Sequence, residues 1–309
     1  GGPGFRAPAL RSPTPVHRIS TPRSIVCALA LVCAAVPVAA QGAAPQRAEP
    51  HIQADSAARM ADLPATAFRN ANGSPRLRDE QYRVVRRRLV PLLERWSRDS
   101  RLAIDPSYVT ALILKESGGD SLAVSGAPAL GIAQLTAAAD SDMRLMVTEY
   151  HFQWMAPELS RWPRAAAVRA PGATTASIDS LLANGAVSSR TEYLFDPVSS
   201  ARAAVFWIRL LENKWTTDFW PGGYGTAVRK RLNGGRHLTQ HEMFDLVTIS
   251  YNRGYIEVKE LVDRYGAGWT QHLAELPGSE AEAADYLERV RAYTALLQAG
   301  PAAAGDSAR

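Results

Sequence analysis

A helix with its own start and stop signals, and an apolar stripe ending in a carboxylate, restricts this chain more than any other feature. Asp105-Pro106 reads as the start, with Asp as N-cap and Pro in the first helical position. Val109, Leu112, Ile113 and Glu116 follow at helical spacing, so they share one face. Gly118 and Gly119 supply the C-terminal stop. The stripe places this face against a core, and the helix C-terminus adds partial negative charge beside Glu116. Both effects disfavour an ionised carboxylate. A carboxylic acid placed in this way suits proton donation to a leaving oxygen. The competing reading is a helix-end carboxylate paired with Lys115 or an arginine.

Charge removes one class of function. The 309 residues carry a formal net charge of +5. Residues 1–40 hold Arg6, Arg11, Arg18 and Arg23 and no acid, which leaves 31 basic against 30 acidic side chains in the remainder. A balanced chain lacks the basic footprint of a nucleic-acid binder. Ser24 to Ala40 is an apolar run behind arginines, closing on Val38-Ala39-Ala40. It reads as a signal peptide cleaved after Ala40, and so predicts export to the periplasm or cell envelope. The alternative is a retained anchor, the only route by which a membrane would be a partner. Cys27 and Cys33 both lie in this run, so the mature chain is expected to hold no disulfide.

The remaining organisation reads as helices. Residues 41–78, rich in Ala, Pro, Asn and Ser, suggest a linker, and 301–309 a disordered tail. Between them, 79–300 read as one domain. Its first helix presents Val85, Leu89, Leu92, Leu93 and Trp96 to a core, with Pro91 as a potential kink and Arg86 to Arg88 on a solvated face. Asp196-Pro197 repeats the helix-start signal. Thr239 to Glu242 and Ser279 to Glu282 are capping-box patterns. No stretch alternates over strand length, so the expected fold is mostly α. No P-loop, dinucleotide fingerprint or Cys/His cluster is present, and neither metal nor cofactor is expected.

Glu116-Ser117 is followed nine positions later by Ser125, then by Gly131-Ile132-Ala133-Gln134, and much later by Ser250-Tyr251-Asn252-Arg253-Gly254. Phe195-Asp196-Pro197 lies between, and Glu282 with Tyr286 closes the series. This order resembles the catalytic domain of the soluble-type lytic transglycosylases, relatives of goose-type lysozyme. It runs from about Asp79 to Gln298. Several positions depart from the family text. Ile132 and Ala133 stand for Leu and Met, Ser250 for Ala, and Leu135-Thr136 for a Met-Pro. Gly126 and Pro128 break the usual run, and stretches near 140–194 and 215–237 are insertions.

The resemblance implies a lysozyme-like helical domain with a catalytic cleft, acting on peptidoglycan glycan strands. It implies Glu116 as the single acid and base, closing a 1,6-anhydro sugar with no second carboxylate. Asp120, beyond the glycine stop, is not expected to act. Ser125 is implied to meet the substrate acetamido group or Glu116, with a loop turn as its rival role. Gln134 and Asn252 are implied to hold sugar or loop, Tyr251 to orient Glu116, and Tyr286 to line the cleft. Glu282 is expected to reach back to its own helix start. Tyr150 to Trp154, with Trp162, offers a sugar-stacking wall or core packing. A lysozyme-type hydrolase and a silent glycan-binding or assembly module are the alternatives.

Overall fold

In the computed structural model, Asp105 caps its helix as the sequence predicts, accepting from Ser107 N at 2.8 Å. The described residues are 65–69, 77, 79–99, 102, 104–125, 129–149 (backbone only for 146–149), 191–218, 224–277 and 282–300. They lie in the unit spanning 51–309, which is distinct from 1–50. The signal-peptide run, most of the linker stretch, the aromatic segment Tyr150–Trp154 with Trp162, and the tail fall outside them.

Helix α1 (Asp79–Val84) leads through a π-helical turn (Val85–Leu89) into α2 (Val90–Ser97). Pro91 has no N–H, and its ring would press on the carbonyl of Arg87. The wider turn, closed by Val90 N donating to Val85 O, relieves that clash. Val85, Leu89, Leu93 and Trp96 are buried as predicted, Leu92 is half-buried, and Arg87 and Arg88 are exposed.

Helix α3 (Pro106–Ser117) differs from the one-faced helix read from its stripe. Every residue from Pro106 to Leu114 is buried, including Ser107, Tyr108 and Thr110. It is the central helix, covered on all sides, and the polar residues are accommodated by hydrogen bonds. Thr110 Oγ1 donates to Pro106 O at 2.7 Å, and the Tyr108 hydroxyl meets Thr248 Oγ1 at 3.0 Å. Leu112, Ile113 and Leu114 are at most 1% exposed. Each contributes roughly 1.5–3 kcal/mol by burial.

A small hairpin follows: β1 (Ala129–Leu130) antiparallel to β2 (Leu135–Thr136), with Ala129 opposite Thr136. Two-residue strands are too short to show alternation, which is why the sequence reading found none. Helix α4 is Ala137–Glu149, and α5, Pro197–Thr216, is capped by Asp196 accepting from Ser199 N at 2.8 Å. Helices α6 (Gly225–Asn233), α7 (Gln240–Arg253) and α8 (Tyr255–Tyr265), a 3₁₀ segment (Gly266–Glu275) and α9 (Glu282–Ala299) follow, and shorter 3₁₀ turns lie at Ala65–Ala67 and Glu192–Phe195. The Thr239–Glu242 capping box is formed. That at Ser279–Glu282 begins outside the described residues. Among the described residues the protein is mostly helical, consistent with a lysozyme-like domain.

Two observations extend the sequence reading. Phe68 and Leu77 lie in the stretch read as linker, yet both are buried. Phe68 packs on Tyr82 and Tyr293, with ring centroids 5.1 and 5.2 Å apart, so the packed body begins before Asp79. One buried aromatic in a polar stretch has no periodicity to reveal it. Glu282 pairs with Arg253 of α7 at 2.9 Å, a cross-helix tie in addition to any local capping role. Among the described residues no helix is long and apolar enough to cross a membrane, and none group as a metal site.

Candidate active site

The last turn of α3 carries Glu116 out of the core to a half-buried position, and Gly118, with φ 64°, stops the helix there. Packing of α9 against α3 brings Tyr286 to it. The Tyr286 phenol donates to Glu116 Oε1. The register of α9 is held by Lys115 Nζ, 3.4 Å from Asp285 and 5.4 Å from the centre of the Tyr286 ring. Asp285 also receives Arg289 Nε at 2.8 Å.

The hairpin turn faces the same helix end. Ser117 Oγ donates to Ile132 O at 2.7 Å and accepts from Gly119 N at 3.1 Å. Gln134 adopts φ 49°, an uncommon conformation for a residue with a side chain. Its Nε2 donates to Gly131 O at 2.9 Å and Ala123 O at 3.0 Å, which holds the turn closed. From α5, Ser200 Oγ accepts from Ala133 N at 3.3 Å. From α7, the Tyr251 phenol donates to Ala133 O at 2.7 Å. The turn is therefore gripped from three helices.

This arrangement redistributes the tyrosine roles read from sequence. Tyr286 is the phenol that hydrogen-bonds Glu116, and Tyr251 is a strut beneath the hairpin turn. Tyr251 still lies within electrostatic reach of Glu116. Burial pushes both phenols well above the ordinary tyrosine value, and the negative charge of Glu116 adds to the shift. Both hydroxyls thus remain protonated donors. The family resemblance singled out each tyrosine, but which one reaches Glu116 depends on how α7 and α9 cross α3.

Ser125 is exposed, and its Oγ accepts from Ala129 N at 3.2 Å, closing the loop that leads into β1. Asn252 is half-buried, and its Oδ1 is shielded from solvent without a hydrogen-bond partner among the described residues. Asp120 Oδ1 accepts from Leu122 N at 2.9 Å, a turn-forming role. Gln134, Tyr251 and Asn252 line a cavity of about 350 Å³ that Glu116 does not line. Lys115, Ser117 and Ser200 were absent from the predicted site. Ser117 carried a signal in its place beside the acid, whereas Ser200 carried none.

The buried phenols give a stability prediction. Burial raises Tyr82 to about 12, despite the opposing charge of Arg86, and raises Tyr108, Tyr255, Tyr251 and Tyr286 as well. These groups contribute fully below the unfolded value of about 10, and their contribution is lost as pH rises through the folded values. Each can remove up to ~1.4 kcal/mol per pH unit above about 10. Thermal unfolding followed by circular dichroism at pH 8 and 11 should show a steep loss of stability. Titration of all ten tyrosines near pH 10 in the intact fold would contradict this.

Residues 97–161 match the family model described as the transglycosylase SLT domain. The match spans about a fifth of the chain and includes Glu116, Ser125 and Gln134, while Tyr251, Asn252 and Tyr286 lie beyond it. No curated protein and no solved structure matches the chain. Helix α3, the hairpin and α4 all fall within the matched stretch, which is similar to a transglycosylase SLT domain.

Proposed function

We propose that the protein is an exported lytic transglycosylase that cleaves the β-1,4 bond between N-acetylmuramic acid and N-acetylglucosamine in peptidoglycan. The observation that carries this reading is Glu116, at the end of a buried helix with the Tyr286 phenol donating to it, inside the stretch matching the SLT domain. Protonated Glu116 gives its proton to the glycosidic oxygen as the C1–O bond breaks. The substrate acetamido oxygen closes on C1 and holds the positive charge. Glu116, now ionised, removes the proton from the C6 hydroxyl. O6 then attacks C1, displaces the acetamido oxygen and leaves a 1,6-anhydromuramic end. No water enters, so one acid suffices where a hydrolase ordinarily uses two carboxylates.

Tyr286 positions the carboxyl and, as a donor held neutral by burial, supports its ionised form between the two proton transfers. Ser125 meets the acetamido group, while Gln134 and Tyr251 hold the hairpin wall and Asn252 holds the sugar or that wall. Mass spectrometry of the fragments released from purified sacculi tests the reading. Anhydromuramic ends, lighter by one water than hydrolysis products, are expected. Reducing muramic ends would overturn the lyase assignment.

A further inference from the structure

Lys115 stands one residue before the proposed acid and extends its side chain to α9. Its Nζ lies 3.4 Å from Asp285 Oδ2 and 5.4 Å from the centre of the Tyr286 ring. The phenol of that ring donates to Glu116 Oε1. A cation, an aromatic ring, a hydroxyl and a carboxyl thus form one row at the end of α3. Only 15% of the Lys115 side chain is exposed, so solvent ions screen its charge poorly. Its counter-charge is placed differently. The Asp285 side chain is 42% exposed and is shared with Arg289, whose Nε meets its two oxygens at 2.8 and 2.9 Å. Arg289 is itself tied to the segment before α1, donating from Nη1 to Arg69 O at 2.7 Å. A carboxylate divided between two cations and open to water cancels only part of the lysine's field.

The other ionisable groups around this row are neutral or engaged. The charges and phenols that bear on Tyr286 are Glu116, Tyr251 of α7 and Tyr108 of α3, and burial keeps both of those tyrosines protonated. The hairpin, from Ala129 to Thr136, has no ionisable side chain. Glu212 of α5, Asp245 of α7 and Asp105 act on Tyr108, and the first two are paired with Arg209 and Arg291. On α2, Glu94 lies under the influence of Arg98. Glu282, one turn before Tyr286, pairs with Arg253 of α7, and Asp120 accepts from Leu122 N within its own loop.

We propose that Lys115 is a positioning residue for Glu116, acting through the Tyr286 ring to favour the ionised carboxylate, and that Asp285 moderates that action. The proposal rests on the lyase reading and deepens it, because one carboxyl there must both release a proton and recover one. A cation beside the aromatic face polarises the phenol, and a stronger O–H donor favours the charged form of its acceptor. Burial and the helix C-terminus favour the neutral acid. Lys115 opposes them, so neither form of Glu116 is trapped.

The test follows the Glu116 carboxyl carbon by NMR in the full chain grown on carboxyl-labelled glutamate, the signal being identified by its loss in Glu116→Gln. Lys115→Met should move the Glu116 titration upward by about half a pH unit or more, and Asp285→Asn should move it downward by a similar amount. Opposite displacements from the two sides of one contact cannot arise from a general loosening of α3 against α9. Asp285 is the more exposed partner, so its variant tests the proposal even where Lys115→Met disturbs packing. Lys115→Arg keeps the charge and should leave the titration where the natural chain has it. Combined with Tyr286→Phe, Lys115→Met should lose at least about half of its effect, because the hydroxyl is the link. An unmoved titration in Lys115→Met, displacements of the same sign in both variants, or an effect undiminished by Tyr286→Phe would overturn the proposal. Release of soluble fragments from sacculi is measured in parallel, and its high-pH limb should move with the Glu116 titration, since the resting acid must be protonated. Displaced titrations without any release sink the lyase reading alone, and release with unmoved titrations sinks this proposal alone.

Discussion

Glu116→Gln is expected to reduce release of soluble fragments from sacculi by about 10²–10⁴-fold while the protein stays folded. The amide keeps the shape of the carboxyl and can still accept from Tyr286, but it has no proton to give or recover. Tyr286 sits on α9, and the α3–α9 contact extends well beyond this one hydrogen bond. The melting temperature should therefore change little. Tyr286→Phe provides the comparison. It removes the donor and keeps the ring, so it should slow turnover by a smaller factor than the loss of the acid. Retention of near-normal turnover by Glu116→Gln would remove the single-acid mechanism.

Gly131→Ala should damage the fold more than any other single methyl group the hairpin could receive. Gly131 has φ 71°, a region that residues with a side chain seldom adopt. A Cβ there would stand 1.8 Å from Leu194 O, 2.7 Å from Leu194 C and 3.3 Å from Ser200 Oγ. The nearest atoms are backbone, which no rotamer change can move aside. Overpacking and the positive φ together cost roughly 3–5 kcal/mol. In a domain of this size the melting temperature should drop on the order of 10 °C, measured by calorimetry. Turnover should fall as well, because the turn displaced from Leu194 is the one held by Ser117, Gln134 and Tyr251. A Gly131→Ala protein that melts within a degree of the natural one would show that the segment before α5 yields easily.

The helix starts were the most legible part of the chain. Asp105, Asp196 and Thr239 cap as read, because a cap is satisfied within three residues and needs nothing from elsewhere. The stop at Gly118 is local for the same reason. The hairpin was not legible, since its strands have two residues each and its turn is held by Ser117, Ser200 and Tyr251 from distant positions. Phe68 was hidden because its partners, Tyr82 and Tyr293, are far along the chain.

The sequence by itself determined a mostly helical chain, the placing of Glu116 at a helix end, and an order of motifs that resembles an SLT domain. The first two depend on periodicity and capping, which act over a few residues, and the third rests on likeness to a known family. Only the tertiary structure decided that α3 is enclosed on every side, that Tyr286 rather than Tyr251 hydrogen-bonds Glu116, and that Lys214 meets Asp142 beside Trp207. Each of those depends on where helices cross. Crossing geometry is set by the packing of whole faces against one another, which no short stretch of sequence encodes.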